Sequence, residues 1–162
     1  MIMSFEPVVN ENTKILILGT IPGIASLKNQ EYYGNPRNHF WKIIYSFYHE
    51  EYSTINFKDK IEFLLSHNLG IWDVLKNCER QGSLDIAIKN QTENDFDSFF
   101  KKYINIEAII FNGKESHRFF FKKYGQIKGI TYHIMPSTSP ANTMTFNSKL
   151  ELWSTCLAII YK

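Results

Sequence analysis

The chain has 162 residues, and its 18 lysines and arginines are nearly balanced by 16 aspartates and glutamates. This length accommodates one domain with a full hydrophobic core but is too short for two domains of ordinary size. We therefore expect a single domain over residues 1–162. The near-neutral charge excludes a global electrostatic field for nucleic-acid binding, and any such binding must come from a local patch.

The cysteine count and the hydropathy exclude further classes of protein. Two cysteines, Cys78 and Cys156, are too few for a disulfide scaffold or for a four-thiolate zinc or iron–sulfur site. No apolar run approaches the roughly 18 residues that a membrane span needs, and the first residues lack the basic-then-apolar pattern of a targeting signal. We therefore expect a cytoplasmic protein without a membrane segment.

The first clear element is a short apolar run, residues 15–18, which ends at residues 19–23, the glycine turn (GTIPG). A β-branched run bounded by glycine is typical of a parallel strand buried on both faces. Glycine lets the backbone turn sharply and approach a ligand. The spacing fits neither a phosphate-binding P-loop nor a Rossmann fingerprint, so a tight strand-to-helix turn is the simpler interpretation of this motif alone.

A polar and aromatic segment follows, residues 32–39, here named the aromatic segment. It places two tyrosines, two asparagines, an arginine and a histidine within eight positions. This is more stacking and hydrogen-bonding capacity than a structural loop requires. We therefore expect the aromatic segment to line a pocket beside the glycine turn.

The remaining patterns predict alternating helices and strands. Apolar spacing predicts helices over 38–48, 53–68, 96–103, 114–124 and 147–160, a short helix over 83–88, and strands over 70–75, 106–111 and 129–135. Asp95 is expected to cap the helix that follows it, and Gly70 lies in the cap region of helix 53–68. Residues 90–97 are polar and predict a turn.

Four short strands that alternate with helices predict an α/β fold. We expect a three-layer α/β/α architecture around a central, mainly parallel, four-stranded sheet. Ligands bind at the carboxyl ends of such strands. The glycine turn, Asp73, Asn112-Gly113 and residues 136–142, named the Pro-Ser loop, are therefore expected to converge on one site.

Five motifs together resemble the uracil-DNA glycosylase superfamily. They are GTIPG (19–23), QEYYGNPRNHFW (30–41), GIWDVL (70–75), FNGK (111–114) and MPSTSPA (135–141). Within that superfamily the sequence is most similar to the hypoxanthine-DNA (deoxyinosine) glycosylases. The resemblance implies a monofunctional repair glycosylase that flips a deaminated base, above all hypoxanthine, out of DNA. A positioned water then hydrolyses the N-glycosidic bond and leaves an abasic site. It implies no cofactor and no metal, DNA containing a deaminated base as partner, and a monomer.

The resemblance implies that Asn38 is the catalytic residue that holds the attacking water. Many branches hold this water with an asparagine at the third position of the glycine turn, but here that position is Ile21, whose side chain forms no hydrogen bonds. The Asn38 carbonyl can accept from water while its amide group donates elsewhere. Asn35 is the alternative for this role, and a helix N-cap is the alternative interpretation of Asn38.

Further residues are implied to bind the flipped base and the DNA. The residues expected to bind the base are Gly19, Thr20, Ile21, Pro22, Gly23, Tyr33 and Asn112. Tyr33 would stack under the base, with core packing as its alternative interpretation. The residues expected to contact DNA are Ser137, Thr138, Ser139 and Pro140, with an ordinary proline-rich loop as the alternative.

Two departures from the family pattern leave other functions open. Ile21 is one, and Met135 is the other, because uracil-specific relatives often carry histidine before the Pro-Ser pair. His133 shares a strand face with Met135 and is expected to be structural. The alternatives are a catalytically silent nucleic-acid-binding or damage-sensing module, and a glycosylase for uracil in mismatches. A small-molecule hydrolase is disfavoured because no nucleophile elbow occurs.

Overall fold

A parallel sheet of four strands lies at the centre of the structure, a computed structural model that describes residues 1–53 and 55–161. The strands in this part of the chain are β1 (Ile2–Met3), β2 (Ile15–Gly19), β3 (Leu69–Asp73), β4 (Leu75–Glu79), β5 (Lys89–Glu93), β6 (Ala108–Asn112) and β7 (Thr131–Met135). The central sheet has the order β3-β2-β6-β7, with every neighbouring pair parallel. The predicted four-stranded parallel sheet is confirmed.

Helices cover both faces of this sheet. The helices are α1 (Ile24–Asn29), α2 (Phe40–Phe47), α3 (Phe57–Ser66), α4 (Phe96–Lys102), α5 (Lys114–Tyr124) and α6 (Phe146–Ile160), with a short 3₁₀ helix at Asp85–Ala87. Helices α2, α3 and α6 contribute to the core on one face, whereas α4 and α5 contribute to the core on the other. The predicted three-layer architecture is therefore confirmed. Thr54, which falls within predicted helix 53–68, and Lys162 lie outside the described residues.

Strand β2 is buried along its whole length because both faces of the sheet are covered. Ile15 and Ile17 join the core on one face, and Leu16 and Leu18 join the core on the other. This alternation follows from the two-residue period of a strand. Burial of four aliphatic side chains holds the strand in place, so the glycine turn at its carboxyl end starts from a fixed point.

A second, antiparallel sheet was not predicted. It has the order β1-β4-β5 and includes Lys89–Glu93, so the predicted turn over residues 90–97 is wrong at its beginning. The side chains of β5 are exposed or half-buried and polar, and its pairing with β4 contains register shifts. Such an edge strand carries no apolar alternation from which it could be predicted. The prediction that Asp95 caps the following helix is confirmed, because its carboxylate accepts from the Ser98 amide.

Gly70 lies inside β3 instead of at the end of a helix, so this part of the prediction is wrong. Helix α3 ends at Ser66, and Asn68 adopts the left-handed conformation with φ 60°. Asparagine tolerates that conformation better than most residues. Gly70 is needed for close packing, since a Cβ there would meet Val9 Cγ1 at 2.6 Å and the Val8 carbonyl at 3.0 Å.

The helices were also compared with the dimensions of a bilayer. In residues 1–53 and 55–161, none combines the length and the apolar character that crossing a membrane requires.

Candidate active site

A cavity of about 640 Å³ lies beyond the carboxyl ends of β2, β3 and β6. Its walls are formed by the glycine turn, the aromatic segment, the Pro-Ser loop and the residues that follow β4. All of the residues predicted for the site line it: Asn38, Gly19, Thr20, Ile21, Pro22, Gly23, Tyr33, Asn112, Ser137, Thr138, Ser139 and Pro140. Five separated motifs thus meet around one space, at the edge of the sheet where ligands are expected.

The glycine turn is held in shape by residues 80–85, named the bracing segment. The Thr20 hydroxyl donates to Asp85 Oδ2 at 2.9 Å, and the Arg80 guanidinium donates to the Pro22 carbonyl at 2.8 Å. Ser83 Oγ accepts from the first amide of α1 at 3.0 Å. These contacts were not predicted, because they depend on how the chain returns after β4. The turn is therefore pre-organised from outside its own sequence.

Tyr33 enters the cavity beside the glycine turn. Its backbone is left-handed, with φ 54°, and its ring lies 4.1 Å from the Phe40 ring, centroid to centroid, at an interplanar angle of 34°. Its hydroxyl group is buried next to Gly19. Burial and then the charge of Asp73 raise the pKa of Tyr33, so the phenol is neutral. The Tyr33 ring packs against the core residue Phe40, as in the alternative interpretation, and the residue also lines the cavity, as in the pocket interpretation.

Asn38 lies at the start of α2 and faces the cavity. Its side-chain carbonyl accepts from the Phe40 backbone amide at 2.9 Å, and its backbone amide donates to the Asn35 backbone carbonyl at 2.8 Å. The N-cap of α2 is His39, so the alternative of Asn38 as the N-cap is wrong, although its side chain does bind the first amide of the helix. A carbonyl oxygen has two lone pairs, so one remains available for a water molecule. Asn35 lines the same cavity.

Asn112 fastens the Pro-Ser loop to the end of β6. Its amide group donates to the Thr138 hydroxyl at 2.9 Å, and its carbonyl accepts from the Thr138 amide at 2.9 Å. Both residues are buried. The Thr138 carbonyl in turn accepts from the His39 amide at 3.0 Å, which joins the loop to the aromatic segment. One N–H and one lone pair of the Asn112 side chain remain for a ligand.

Two side chains of helix α6 donate hydrogen bonds to backbone carbonyls of the Pro-Ser loop. Lys149 is fully buried, and its ammonium group donates to the Ser139 carbonyl at 3.2 Å. The Trp153 indole donates to the Pro136 carbonyl at 3.0 Å. Burial lowers the pKa of Lys149. Neither contact was predicted, because a lysine in a helix gives no sequence signal that distinguishes burial from solvation.

Two carboxyl groups at the cavity were assigned no role from the sequence. Asp73 ends β3 and is buried, and its pKa is raised to about 7 by burial and then by Asp85, against an opposing effect of Arg80. Burial also raises the pKa of Asp85, which the hydrogen bond from Thr20 opposes. Asp73 interrupts the apolar run GIWDVL, and this was the signal that placed it among the converging groups. Asp85 lies in the bracing segment and gave no comparable signal.

His133 lies outside the residues that line the cavity. Its Nε2 is 3.1 Å from the Thr131 hydroxyl, and the side chain is half-buried on β7. The arrangement agrees with the structural role expected for it. Metal binding was also considered: the described residues contain no cluster of three or more His, Cys, Asp and Glu that could hold a metal ion.

A family model, two sequence relatives and a solved structure all point to the superfamily that the five motifs resemble. The sequence model of the Uracil DNA glycosylase superfamily matches residues 6–159. A protein of Methanosarcina barkeri named hypoxanthine DNA glycosylase is 35% identical over 150 residues, covering 93% of this chain and 94% of the relative. A protein of the same name from Methanosarcina acetivorans is 32% identical over 151 residues, covering 92% and 93%.

Among solved structures, the solution NMR structure of a candidate uracil DNA glycosylase from Methanosarcina acetivorans is similar, with a TM-score of 0.83. It is 32% identical in sequence, and the match covers 96% of each chain. These findings confirm the resemblance drawn from the five motifs, and the chain belongs to the uracil DNA glycosylase superfamily.

Proposed function

We propose that this DNA glycosylase removes hypoxanthine from deoxyinosine in DNA and leaves an abasic site. The observation that carries the proposal is the meeting of all five motifs around one cavity of about 640 Å³, within the size range of small-molecule sites. The relatives named hypoxanthine DNA glycosylase support hypoxanthine as the base. The cavity is open to the surface, so an extruded base can enter it.

The base is held between the glycine turn and the Tyr33 side chain. A glycosylase must take the base out of the duplex and hold it by stacking and by hydrogen bonds at its edges. Stacking on an aromatic ring is worth about 1–3 kcal/mol per base and helps to offset the loss of stacking in DNA. The backbone amides around Ile21 and the remaining N–H of Asn112 are available to the edge of the base.

Asn38 positions the water that attacks the sugar. The water oxygen forms a bond to C1′ as the C1′–N9 bond breaks. The bonding electron pair leaves with the base, and the proton that the water loses ends on a nitrogen of the released base. The sugar passes through an oxocarbenium-like state, as in glycoside hydrolysis. The glycine turn contains no carboxylate, so the water is activated by position more than by a strong base in this turn.

The Pro-Ser loop contacts the DNA around the flipped nucleotide. Ser137 and Pro140 both line the cavity, which supports a role for Ser137 in binding a phosphate and for Pro140 in filling the space left by the base. Asn112 and Lys149 hold this loop against the sheet and α6. Because every residue assigned to the site comes from one chain, we infer that a monomer with a single domain is sufficient for activity.

The test is cleavage of an oligonucleotide that carries one deoxyinosine. Purified protein without added metal should convert this site to an alkali-labile abasic site under single-turnover conditions. Asn38→Ala should lower the rate by roughly 100-fold, because a misplaced water attacks poorly. Asn147→Ala, at an exposed position in the first turn of α6, is the matched control and should cleave normally.

The same experiment separates the alternatives. Asn38→Ala also removes the acceptor for the Phe40 amide, so its thermal unfolding must be measured beside its activity. Asn35→Ala tests the alternative residue for the water. A protein that binds the deoxyinosine duplex but cleaves nothing, even in excess, would be a damage-sensing module. A duplex with a uracil mismatch tests the second alternative substrate.

A further inference from the structure

Two lysines, a histidine and a phenylalanine form a cluster beside the Pro-Ser loop, where helices α2 and α6 begin. The cluster, named the basic corner, consists of His39, Lys42, Phe146 and Lys149. The two residues on each helix are three positions apart, so each pair lies on one face of its helix. None of the four residues lines the cavity, and the proposed function assigns them no contact with the base.

The basic corner is joined to the Pro-Ser loop by two hydrogen bonds. The His39 backbone amide donates to the Thr138 carbonyl at 3.0 Å, and the Lys149 ammonium group donates to the Ser139 carbonyl at 3.2 Å. Thr138 and Ser139 themselves line the cavity. The basic corner is therefore directly next to the loop to which the DNA contacts are assigned.

The Phe146 ring contacts both side chains that α2 contributes to the basic corner. Its centroid is 5.3 Å from that of the His39 ring, in an edge-to-face arrangement, and the Lys42 Nζ atom lies 4.3 Å from the same centroid. A cation over an aromatic face is attracted by the ring, so Lys42 is held near His39. Lys42 is exposed, and its N–H groups are open to a ligand from solvent.

The two ring nitrogens of His39 are not equivalent. The Nδ1 atom is buried without a hydrogen-bond partner among the described residues. A charged imidazole carries a proton on both nitrogens, so it would bury an unpaired N–H group at Nδ1. Burial, and then the charges of Lys149 and Lys42, lower the pKa of His39, so the ring is neutral at neutral pH. The proton is assigned to Nε2, which the half-buried side chain can offer to a ligand.

No carboxylate among the described residues balances the basic corner. The one ion pair in this part of the chain joins Arg118 to Glu115 on α5, and the charges that act on His39 are both positive. Lys149 is fully buried, and its ammonium group is already used by the Ser139 carbonyl. The beginnings of two helices add partial positive charge at the same place. Positive groups held together without a counter-ion repel one another, and an anion would relieve this repulsion.

We propose that Lys42 and His39 bind a phosphate of the DNA backbone next to the flipped nucleotide. This inference rests on DNA as the substrate in the proposed function, but not on the identity of the base. The Lys42 ammonium group and the Nε2–H group of His39 donate to the non-bridging oxygens of the phosphodiester. The contact is separate from the one assigned to Ser137, because the basic corner lies outside the cavity. It fixes the position of the protein on the DNA without reading sequence.

The salt dependence of DNA binding tests the contact made by Lys42. The ligand is a labelled duplex with a tetrahydrofuran abasic analogue, which cannot be cleaved, and its affinity is measured by fluorescence anisotropy from about 50 to 200 mM salt. Lys42→Met keeps an unbranched apolar chain beside Phe146. It should reduce the steepness of the log–log plot by about 0.9 and weaken binding about 3- to 10-fold at about 100 mM salt.

The matched control is Lys122→Met, which removes the same charge from an exposed position in the last turn of α5. Its salt dependence should equal that of the wild type. An equal change in Lys42→Met and Lys122→Met would overturn the proposal, because the effect would then come from overall charge. Thermal unfolding is measured for each variant, so that weaker binding is not confused with loss of the fold.

Neutral methylphosphonates, placed one at a time near the abasic analogue, identify the phosphate that is bound. At one position the replacement should weaken binding by the wild type but cause little further loss in Lys42→Met, where the contact is already absent. His39→Leu should weaken binding about 10-fold, whereas His39→Gln, which keeps an N–H donor, should bind nearly as the wild type does. Equal affinities of the two His39 variants would overturn the role of His39.

The outcomes separate this inference from the proposed function. Wild-type protein that binds the duplex but releases no hypoxanthine from deoxyinosine contradicts the proposed function, and the same titrations still decide the role of Lys42. Cleavage of deoxyinosine, together with an unchanged salt dependence in Lys42→Met and no methylphosphonate position coupled to Lys42, overturns this inference alone. Wild-type protein that does not bind the duplex overturns both.

Discussion

Asp73 shows how a single residue at the cavity can affect the stability of the whole fold. The sequence indicated a polar side chain that interrupts an apolar strand over residues 70–75, whereas in the structure β3 ends at Asp73, which lines the cavity. Its burial and its unpaired oxygen could not be predicted, because they depend on Tyr33 and Gly19 approaching from other segments. A charge buried without a partner destabilises the folded state.

We expect Asp73→Asn to stabilise the protein more at pH 8 than at pH 5. The pKa of Asp73 is about 7 in the folded protein, above the usual value of 3.8, so the folded state binds its proton more tightly and loses stability as the pH rises between these values. Removing the group should therefore give a gain that is larger at pH 8 by about 2–3 kcal/mol.

Urea unfolding of the two proteins at both pH values measures this difference. Asp85 and Arg80, the charged groups that act on Asp73, are present in both proteins, so the comparison isolates the carboxyl group of Asp73. An equal gain at pH 5 and pH 8 would mean that the carboxyl group of Asp73 is not held in its neutral form by the fold.

At the scale of elements, local signals predicted some parts of the chain well. Helix α5 runs from Lys114 to Tyr124, followed by Gly125, as its glycine stop and apolar spacing predicted. Strand β5 was missed, because its polar side chains are exposed and its structure comes from pairing with β4. Elements stabilised by their own pattern were therefore predictable, whereas those stabilised by a distant partner were not.

The contact between α6 and the Pro-Ser loop leads to a prediction about DNA binding. Lys149→Met keeps the buried aliphatic volume but removes the donor to the Ser139 carbonyl. The loop should then lose its fixed position and must be ordered again when DNA binds. Binding of the deoxyinosine duplex should therefore weaken about 10-fold, which corresponds to the free energy of about one hydrogen bond to a charged group. The buried ammonium group has this hydrogen bond but no ion pair with a described carboxylate, so its replacement by an apolar side chain should leave the thermal unfolding temperature equal or higher.

Fluorescence anisotropy with a labelled duplex, beside thermal unfolding, checks this prediction. Lys128→Met serves as the control, because Lys128 is exposed and precedes β7 at the end of the strand opposite the site. An unchanged affinity in Lys149→Met, or an equal loss in the control, would show that Lys149 does not organise the loop.

At the scale of the whole molecule, parallel topology explains why the motifs could be assembled from sequence. Strands β2, β3 and β6 all point their carboxyl ends to one edge, so the segments that follow them must meet. The bracing segment could not be predicted, because it follows an antiparallel strand outside the central sheet. The location of the cavity was thus predictable, but the network that supports it was not.

The overall charge leads to a prediction about the salt dependence of DNA binding. The net charge of +2 gives no strong global attraction to DNA, and the assigned DNA contacts are mostly hydroxyl groups. The logarithm of the association constant should therefore fall with the logarithm of salt concentration with a slope of about −2 to −4. Binding titrations at salt concentrations from about 50 to 200 mM, where this effect is large, measure the slope. A slope near −8 would require an extended basic surface.

The hydrogen bonds between the bracing segment and the first 24 residues span 58 to 65 positions of the chain. During synthesis, a chain that extends only as far as α3 contains the glycine turn but lacks the bracing segment that holds it in shape. The shape of the turn is therefore fixed late in synthesis, once residues 80–85 have formed these hydrogen bonds. Substitutions in the bracing segment should accordingly reshape the glycine turn from a distance, without any change to the residues of the turn itself.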